Sequence, residues 1–270
     1  MSKGLPNLRY LMIPALCTVL CLTNCKKDNV NNTNNTTNNP TPTATGNLTL
    51  EFQAKVDTSN LYFNKIYINN NADTFTVTKF NYFISNIVLT NSNNGTYIET
   101  NSYHLIRHSS GSAFSLVLNN VPEANYQSIA FMLGVDSTRN VSGTQSGDLD
   151  PANVSDMFWS WNTGYIFLKL EGSAPKVPTS DKKFQFHIGG YGGTYATQRK
   201  FNLNLGSTLA AVKTTATPTV QLSANVNEIF SKPNTLDFKT QYNILNQGVN
   251  AKFVADNYAD MIRLISVKNN

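Results

Sequence analysis

Leu48, Leu50, Phe52, Ala54 and Val56 alternate strictly with polar residues. A period of two is the mark of a strand with one buried face, because successive side chains point to opposite sides of the sheet. The same reading predicts strands over residues 61–68, 80–90, 103–106, 114–118 and 126–135, then over 157–171, 184–188, 201–205 and 220–226. Asn94-Gly95 between two apolar runs is a hairpin signal, and Pro122, Pro151, Pro175 and Pro218 fall between runs, where they break no ladder. Only near the end does the period change. Phe253, Val254, Asn257, Tyr258, Met261, Ile262 and Ile265 recur at helical spacing over about 15 residues. The expected fold is all-β, an antiparallel β-sandwich with a short C-terminal helix.

The pattern is absent before residue 47. Residues 28–46 are almost all Asn, Thr and Pro, with Val30 the one bulky apolar side chain, so this stretch cannot bury enough surface to fold. Upstream, Lys3 and Arg9 precede an apolar run over residues 10–22, too short for a membrane span and suited to a signal-peptide core. The run ends in Leu22-Thr23-Asn24-Cys25, which resembles a bacterial lipobox, with Asn24 departing from its usual small residue. The expected organisation is a lipoprotein signal peptide over 1–24, a tether over 25–46 and one domain over 47–270. Cys17 and Cys21 leave with the signal, so Cys25 is the lone mature cysteine, available for lipid and for no internal disulfide. Lys26, not Asp, follows it, which by resemblance to lipoprotein sorting signals points to the outer membrane, on its periplasmic or cell-surface side. A tether of this length holds the domain roughly 25 Å from the anchor.

Composition narrows the function. Hydrophobic residues make up 40% and aromatics 11% of 270 residues, enough for a sizeable core. Charged residues are 14%, low for a cytosolic protein. Of the net +5, two charges sit on Lys3 and Arg9, leaving +3 from Cys25 onward. No Lys/Arg cluster interleaves with aromatics, so nucleic acid is not an expected partner. There is no Gly-x-Ser-x-Gly elbow, no His-Glu-x-x-His and no phosphate loop ahead of a helix, so no enzymatic activity is expected.

The candidate chemistry lies in residues 157–172, MFWSWNTGYIFLKLEG. As a strand this segment would place Met157, Trp159 and Trp161, the last two being all the tryptophan in the chain, on one face. Two indoles beside a thioether are either core packing or the start of a soft-metal site. His187 alternates with Phe184, Phe186 and Ile188 and so faces away from them, just ahead of Gly189-Gly190. His104 and His108, in a strand-like context, read as structural or surface residues. Asp148, Asp150 and Asp156 with Asn153 offer hard oxygens for calcium, though not at EF-hand spacing.

Several blocks together resemble the MbnP-like copper-binding family, which includes the methanobactin-associated protein and the surface copper proteins of methanotrophs. They are Tyr82-Phe83-Ile84-Ser85-Asn86-Ile87, Asn120-Val121-Pro122, Gly134-Val135-Asp136 with Arg139-Asn140, Leu149-Asp150-Pro151, residues 157–172 and Phe186-His187-Ile188-Gly189-Gly190-Tyr191. They run in family order over about residues 47–265. The resemblance implies copper held by histidines and by a tryptophan oxidised to kynurenine, in some members by a di-haem peroxidase-like partner. Carried onto this chain, it implies Trp159 or Trp161 as the modified residue, His187 as a ligand and Met157 as a soft one suited to Cu(I). The tail, Ile265-Ser266-Val267-Lys268-Asn269-Asn270, lacks the histidines that relatives often carry there, so a second histidine would have to be His104 or His108. The expected function is copper uptake or handling at a lipid anchor. The alternatives are a metal-free adhesion or binding sandwich, and a calcium-stabilised carbohydrate-binding module with Trp159 and Trp161 as its stacking platform.

Overall fold

The computed structural model describes residues 43–142, 145–161 and 164–270. The expected signal peptide, Cys25 and most of the expected tether lie outside them. Along the chain come β1 (Thr45–Val56), β2 (Ser59–Asn60), β3 (Tyr67–Ile68), the long β4 (Thr74–Asn91), β5 (Thr96–Ile98) and β6 (Tyr103–Arg107). There follow β7 (Ala113–Pro122), β8 (Ala124–Leu133), the single turn α1 (Ser137–Asn140), β9 (Leu168–Ser173) and β10 (Lys183–Ile188). The last part holds β11 (Arg199–Asn204), β12 (Ala210–Val212), β13 (Thr219–Asn225), β14 (Asn243–Ile244), α2 (Val249–Tyr258) and β15 (Ile262–Lys268).

One sheet is ordered β15-β13-β1-β2, with β7 also on β1. The other is built on β4, which pairs with β3, β5, β6, β8 and β9, and extends through β10 to β14 and through β8 to β11 and β12. The sheets pack on the alternating apolar sets expected from the sequence. Phe52 of β1 meets Tyr82 of β4 and Phe131 of β8 edge-on, at 6.3 and 6.4 Å between centroids, and all three are buried. The sandwich is not wholly antiparallel. β1 runs parallel to β13 and β10 parallel to β14.

Three local expectations change. Residues 61–68 form a loop with only Tyr67–Ile68 as strand. The terminal helix stops at Tyr258, and Ile262 and Ile265 lie in β15, where pairing along β13 outcompetes the helical period. Asn257, which sits among the helix's apolar positions, is fully buried because its Nδ2 donates to the carbonyls of Ile229 (2.8 Å) and Asn234 (2.7 Å).

The third change bears on function. The predicted strand over residues 157–171 begins only at Leu168. Asn81 pairs with both Arg107 and Lys169, while Ile84 pairs with both His104 and Leu133. A strand has two edges, so β9 and β8 follow each other along the edge of β4 opposite β6. They meet at Phe83, whose N–H donates to the Phe167 carbonyl and whose carbonyl accepts from Gly134 N–H, both at 2.9 Å. Gly134 and Phe167 thus flank the point on β4 at which the chain leaves the sheet after β8 and returns to it before β9, and among the described residues between them none belongs to a ladder of this sheet. Ser155–Met157 is a 3-10 turn, and Phe158 and Tyr165 form an isolated bridge.

Candidate functional site

The outward face of the β4 sheet carries the chemistry. β10 sends Phe184, Phe186 and Ile188 fully into the core and leaves Gln185 and His187 outside. β9 does the same with Leu168 and Leu170 against Lys169 and Glu171. Directly paired residues share a face, so the registers place Arg107, Asn81, Lys169 and His187 in one row across β6, β4, β9 and β10. Glu171 lies diagonal to His187, and its Oε1 is 2.7 Å from His187 Nε2. The same oxygen is 4.0 Å from Lys169 Nζ, and Lys169 donates to the backbone carbonyl of Asp156. Asp156 in turn accepts both Arg107 guanidinium nitrogens, at 2.9 and 2.7 Å. A continuous polar link thus runs from His187 to the residue before Met157.

The link sets the charges. The His187 hydrogen bond holds the Glu171 carboxyl below its ordinary range, with Lys169 and Lys79 adding to it. Burial pulls the Lys169 ammonium down, opposed by Glu171 and Asp156. Arg107 holds Asp156 low.

The segment above this face separates the three residues that a strand would have aligned. Met157 is fully buried, Trp159 is 6% exposed and Trp161 is 64% exposed. The two indoles still touch, tilted by 49° with centroids 5.8 Å apart. Trp159 N–H donates to the Gly164 carbonyl at 3.2 Å, and Gly164 has φ +119°, a conformation costly to any residue with a Cβ. Trp159 lies against the end of β10. A Cβ on Gly189, two residues beyond His187, would sit 2.7 Å from the indole edge and 2.5 Å from the Tyr165 carbonyl. Trp159 Nε1 is buried and has no hydrogen-bond partner among the described residues.

His104 and His108 lie elsewhere. His104 pairs with the core-facing Ile84, and so is on the opposite side of the sheet from His187; its Nε2 is 2.8 Å from Glu99. His108 is buried, stacked on Phe80 at 5.0 Å and 3.2 Å from the Tyr82 hydroxyl. Burial pushes its pKa down to about 3. Neither reaches His187 through the sheet. The aspartates considered for calcium are spoken for separately: Asp148 accepts from Leu105 N–H, Asp150 from Ala152 N–H, and Asp156 from Arg107. Among the described residues no three His, Cys, Asp or Glu side chains gather for a metal.

Sequence reasoning missed Glu171, Lys169 and the seat at Gly189. The alternation of Leu168-Lys169-Leu170-Glu171 put both polar residues on the outward face. Which residues stand opposite them depends on registers that no local pattern carries.

The MbnP family profile matches residues 45–250. The structure of MbnP from Methylosinus trichosporium aligns with a TM-score of 0.51 over 74% of this chain and 83% of that one, at 12% identity, a likeness of fold. A putative cell adhesion protein from Bacteroides eggerthii DSM 20697 aligns over 86% of this chain and 97% of that one, at 9% identity, with a TM-score of only 0.18, too low to compare folds. No curated protein matches.

Proposed function

The chain belongs to the MbnP family, and from that premise we propose that it is a lipid-anchored copper-binding protein for copper uptake or handling, without catalytic activity of its own. The observation that carries this reading is the seat of Trp159: a buried indole with an unpartnered Nε1, lying over the glycine two residues beyond His187. The donors as encoded are too few. His187 gives one imidazole and Met157 one thioether, and an indole N–H can donate but cannot ligate. Copper fits only when a tryptophan becomes a ligand. Opening the indole to kynurenine frees an aryl amine, and Trp159 is the tryptophan whose nitrogen is buried without a hydrogen-bond partner among the described residues. Trp161, exposed beside it, is the other candidate. A di-haem peroxidase-like partner would catalyse that oxidation with peroxide as the oxidant, inserting two oxygen atoms to give N-formylkynurenine, from which hydrolysis releases the lost carbon as formate.

The carbohydrate-binding alternative loses the two-indole platform it rested on, because Trp159 is buried and of the pair Trp161 alone is exposed. The metal-free sandwich keeps one observation in its favour, the lack of a ready cluster of metal-ligating side chains among the described residues.

Protein purified from its native host decides between the two. We expect bound copper, and an intact mass in which one carbon has been lost and oxygen gained, mapping to Trp159. Two unmodified tryptophans and no copper would leave the metal-free sandwich. For the anchor, which lies outside the described residues, Cys25→Ser is expected to release the protein from the membrane fraction; retention there, with wild-type processing and extraction, overturns it.

A further inference from the structure

We infer that the outer edge of β7 is an interface between two copies of this chain, which pair β7 against β7, antiparallel about a twofold axis. The pairing uses none of the residues of the copper reading and does not depend on it.

β7 pairs with β1 on one side, so alternate backbone N–H and C=O groups along it point away from the sheet, and no other strand of the described residues takes them up. The ladder with β1 is regular from Ala113 to Leu118 and breaks before Val121. Beyond the regular part, the Asn119 carbonyl accepts from the Tyr97 hydroxyl at 3.4 Å. Phe114, Leu116 and Leu118 stand opposite Phe52, Leu50 and Leu48 and so share the core face. Leu118 is fully buried, but Phe114 and Leu116 are covered only in part, and Val117 on the outward face is 45% exposed. The sandwich is open along this edge.

Charge points to a second copy as the occupant. A free strand edge invites pairing with another chain, and folds commonly guard it with charged side chains or by keeping it short. Other edges here do so. β15, at the far side of the same sheet, carries Arg263 and Lys268, β11 carries Arg199 and Lys200, and β14 is two residues long. β7, AFSLVLNNVP, carries no charge. A strand paired with its own copy sets like charges close together, which is destabilising, so self-pairing favours a strand without any. The twofold keeps each face on its own side, and Phe114 and Leu116 of both copies then form one apolar stripe. The chain's own N-terminal segment is the rival occupant. It enters β1 past the far end of β7, where Glu123 N–H donates to the Ala44 carbonyl at 2.8 Å, and would have to reverse to lie along residues 113–118. So short a pairing is small beside a standard interface, and the dimer is expected to be weak.

The test takes the full-length chain in density-matched detergent, with micelles in large excess so that shared micelles do not mimic a dimer. Sedimentation equilibrium over a dilution series is expected to show a monomer–dimer equilibrium. Amide hydrogen exchange over residues 113–118 is expected to slow as the dimer forms. Val117→Lys puts an ammonium on each copy beside the axis. It is expected to raise the dimer dissociation constant at least about tenfold, since like charges juxtaposed across an interface cost more than one decade of affinity. Ile265→Lys, on the exposed part of β15, is the control and is expected to change nothing. A monomer throughout the series overturns the inference, and one whose β7 amides are nonetheless protected assigns the edge to the N-terminal segment. A dimer that leaves β7 exchange unchanged overturns it too, as does a folded Val117→Lys that dimerises like the wild type. Exchange in the wild type needs no variant, so a misfolded Val117→Lys still leaves a decisive measurement.

Discussion

Two histidine–glutamate pairs in this protein have nearly the same local geometry and opposite significance. His187–Glu171 is 2.7 Å long with side chains 16% and 23% exposed, and His104–Glu99 is 2.8 Å long with side chains 19% and 15% exposed. The His104 pair joins residues five apart, across the connection between two strands that follow each other on one edge of β4. It lies on the core side of the sheet and ties that edge together. The His187 pair joins two strands, lies on the outward face, and connects through a buried lysine to the segment carrying Met157 and Trp159. Hydrogen-bond length and exposure do not distinguish a candidate metal ligand from a structural clip. The face of the sheet and what lies over it do.

The comparison breaks most readily at His187. On the proposed copper function His187→Ala would remove a ligand, so copper affinity is expected to fall by more than the roughly 10–100-fold typical of outer-shell losses, measured by competition with a chelator. Next comes Gly189→Ala, which drives a Cβ into the Tyr165 carbonyl and the Trp159 ring. Overpacking of this kind costs about 1–3 kcal/mol, to be read from denaturant unfolding. Gly192, where a Cβ meets nothing within 4 Å, is the control and is expected to accept Ala.

A smaller effect is expected from the third histidine. His108 titrates at about 3 when folded against an ordinary 6.5, so the unfolded chain takes up a proton that the folded one refuses. Its contribution is fully present above the ordinary value and is lost as pH falls from there towards 3. A His108→Phe variant, probed by unfolding between pH 7 and pH 4, is expected to lose stability less steeply than the wild type. The smallest effect sharpens the comparison most: His104→Ala is expected to leave copper affinity unchanged. A loss matching that of His187→Ala would mean that the two pairs serve one site and that the sheet does not separate them.

Much of this was legible in the chain. Alternation identified most of the long strands and turned His187 to the face opposite Phe184, Phe186 and Ile188, because side-chain direction in a strand is set by the strand's own period. It failed at residues 157–171. There, apolar side chains at alternate positions mimic a strand, while the edge of β4 that would pair with them is already occupied up to Phe83 by β8. It failed again at Ile262 and Ile265, whose helical spacing yields to pairing along β13.

The amino-acid sequence alone thus determined the β-rich architecture, the faces of individual strands and, through the order of its motifs, the family. Only the tertiary structure decided that Glu171 meets His187, that Lys169 stands opposite it, that His104 and His108 are on the other side of the sheet, and that Trp159 is buried while Trp161 is not. The physical reason is range. Periodicity is a property of neighbouring residues, whereas register joins strands far apart in the chain and is settled by which pairing buries the most apolar surface while leaving no backbone group unpaired.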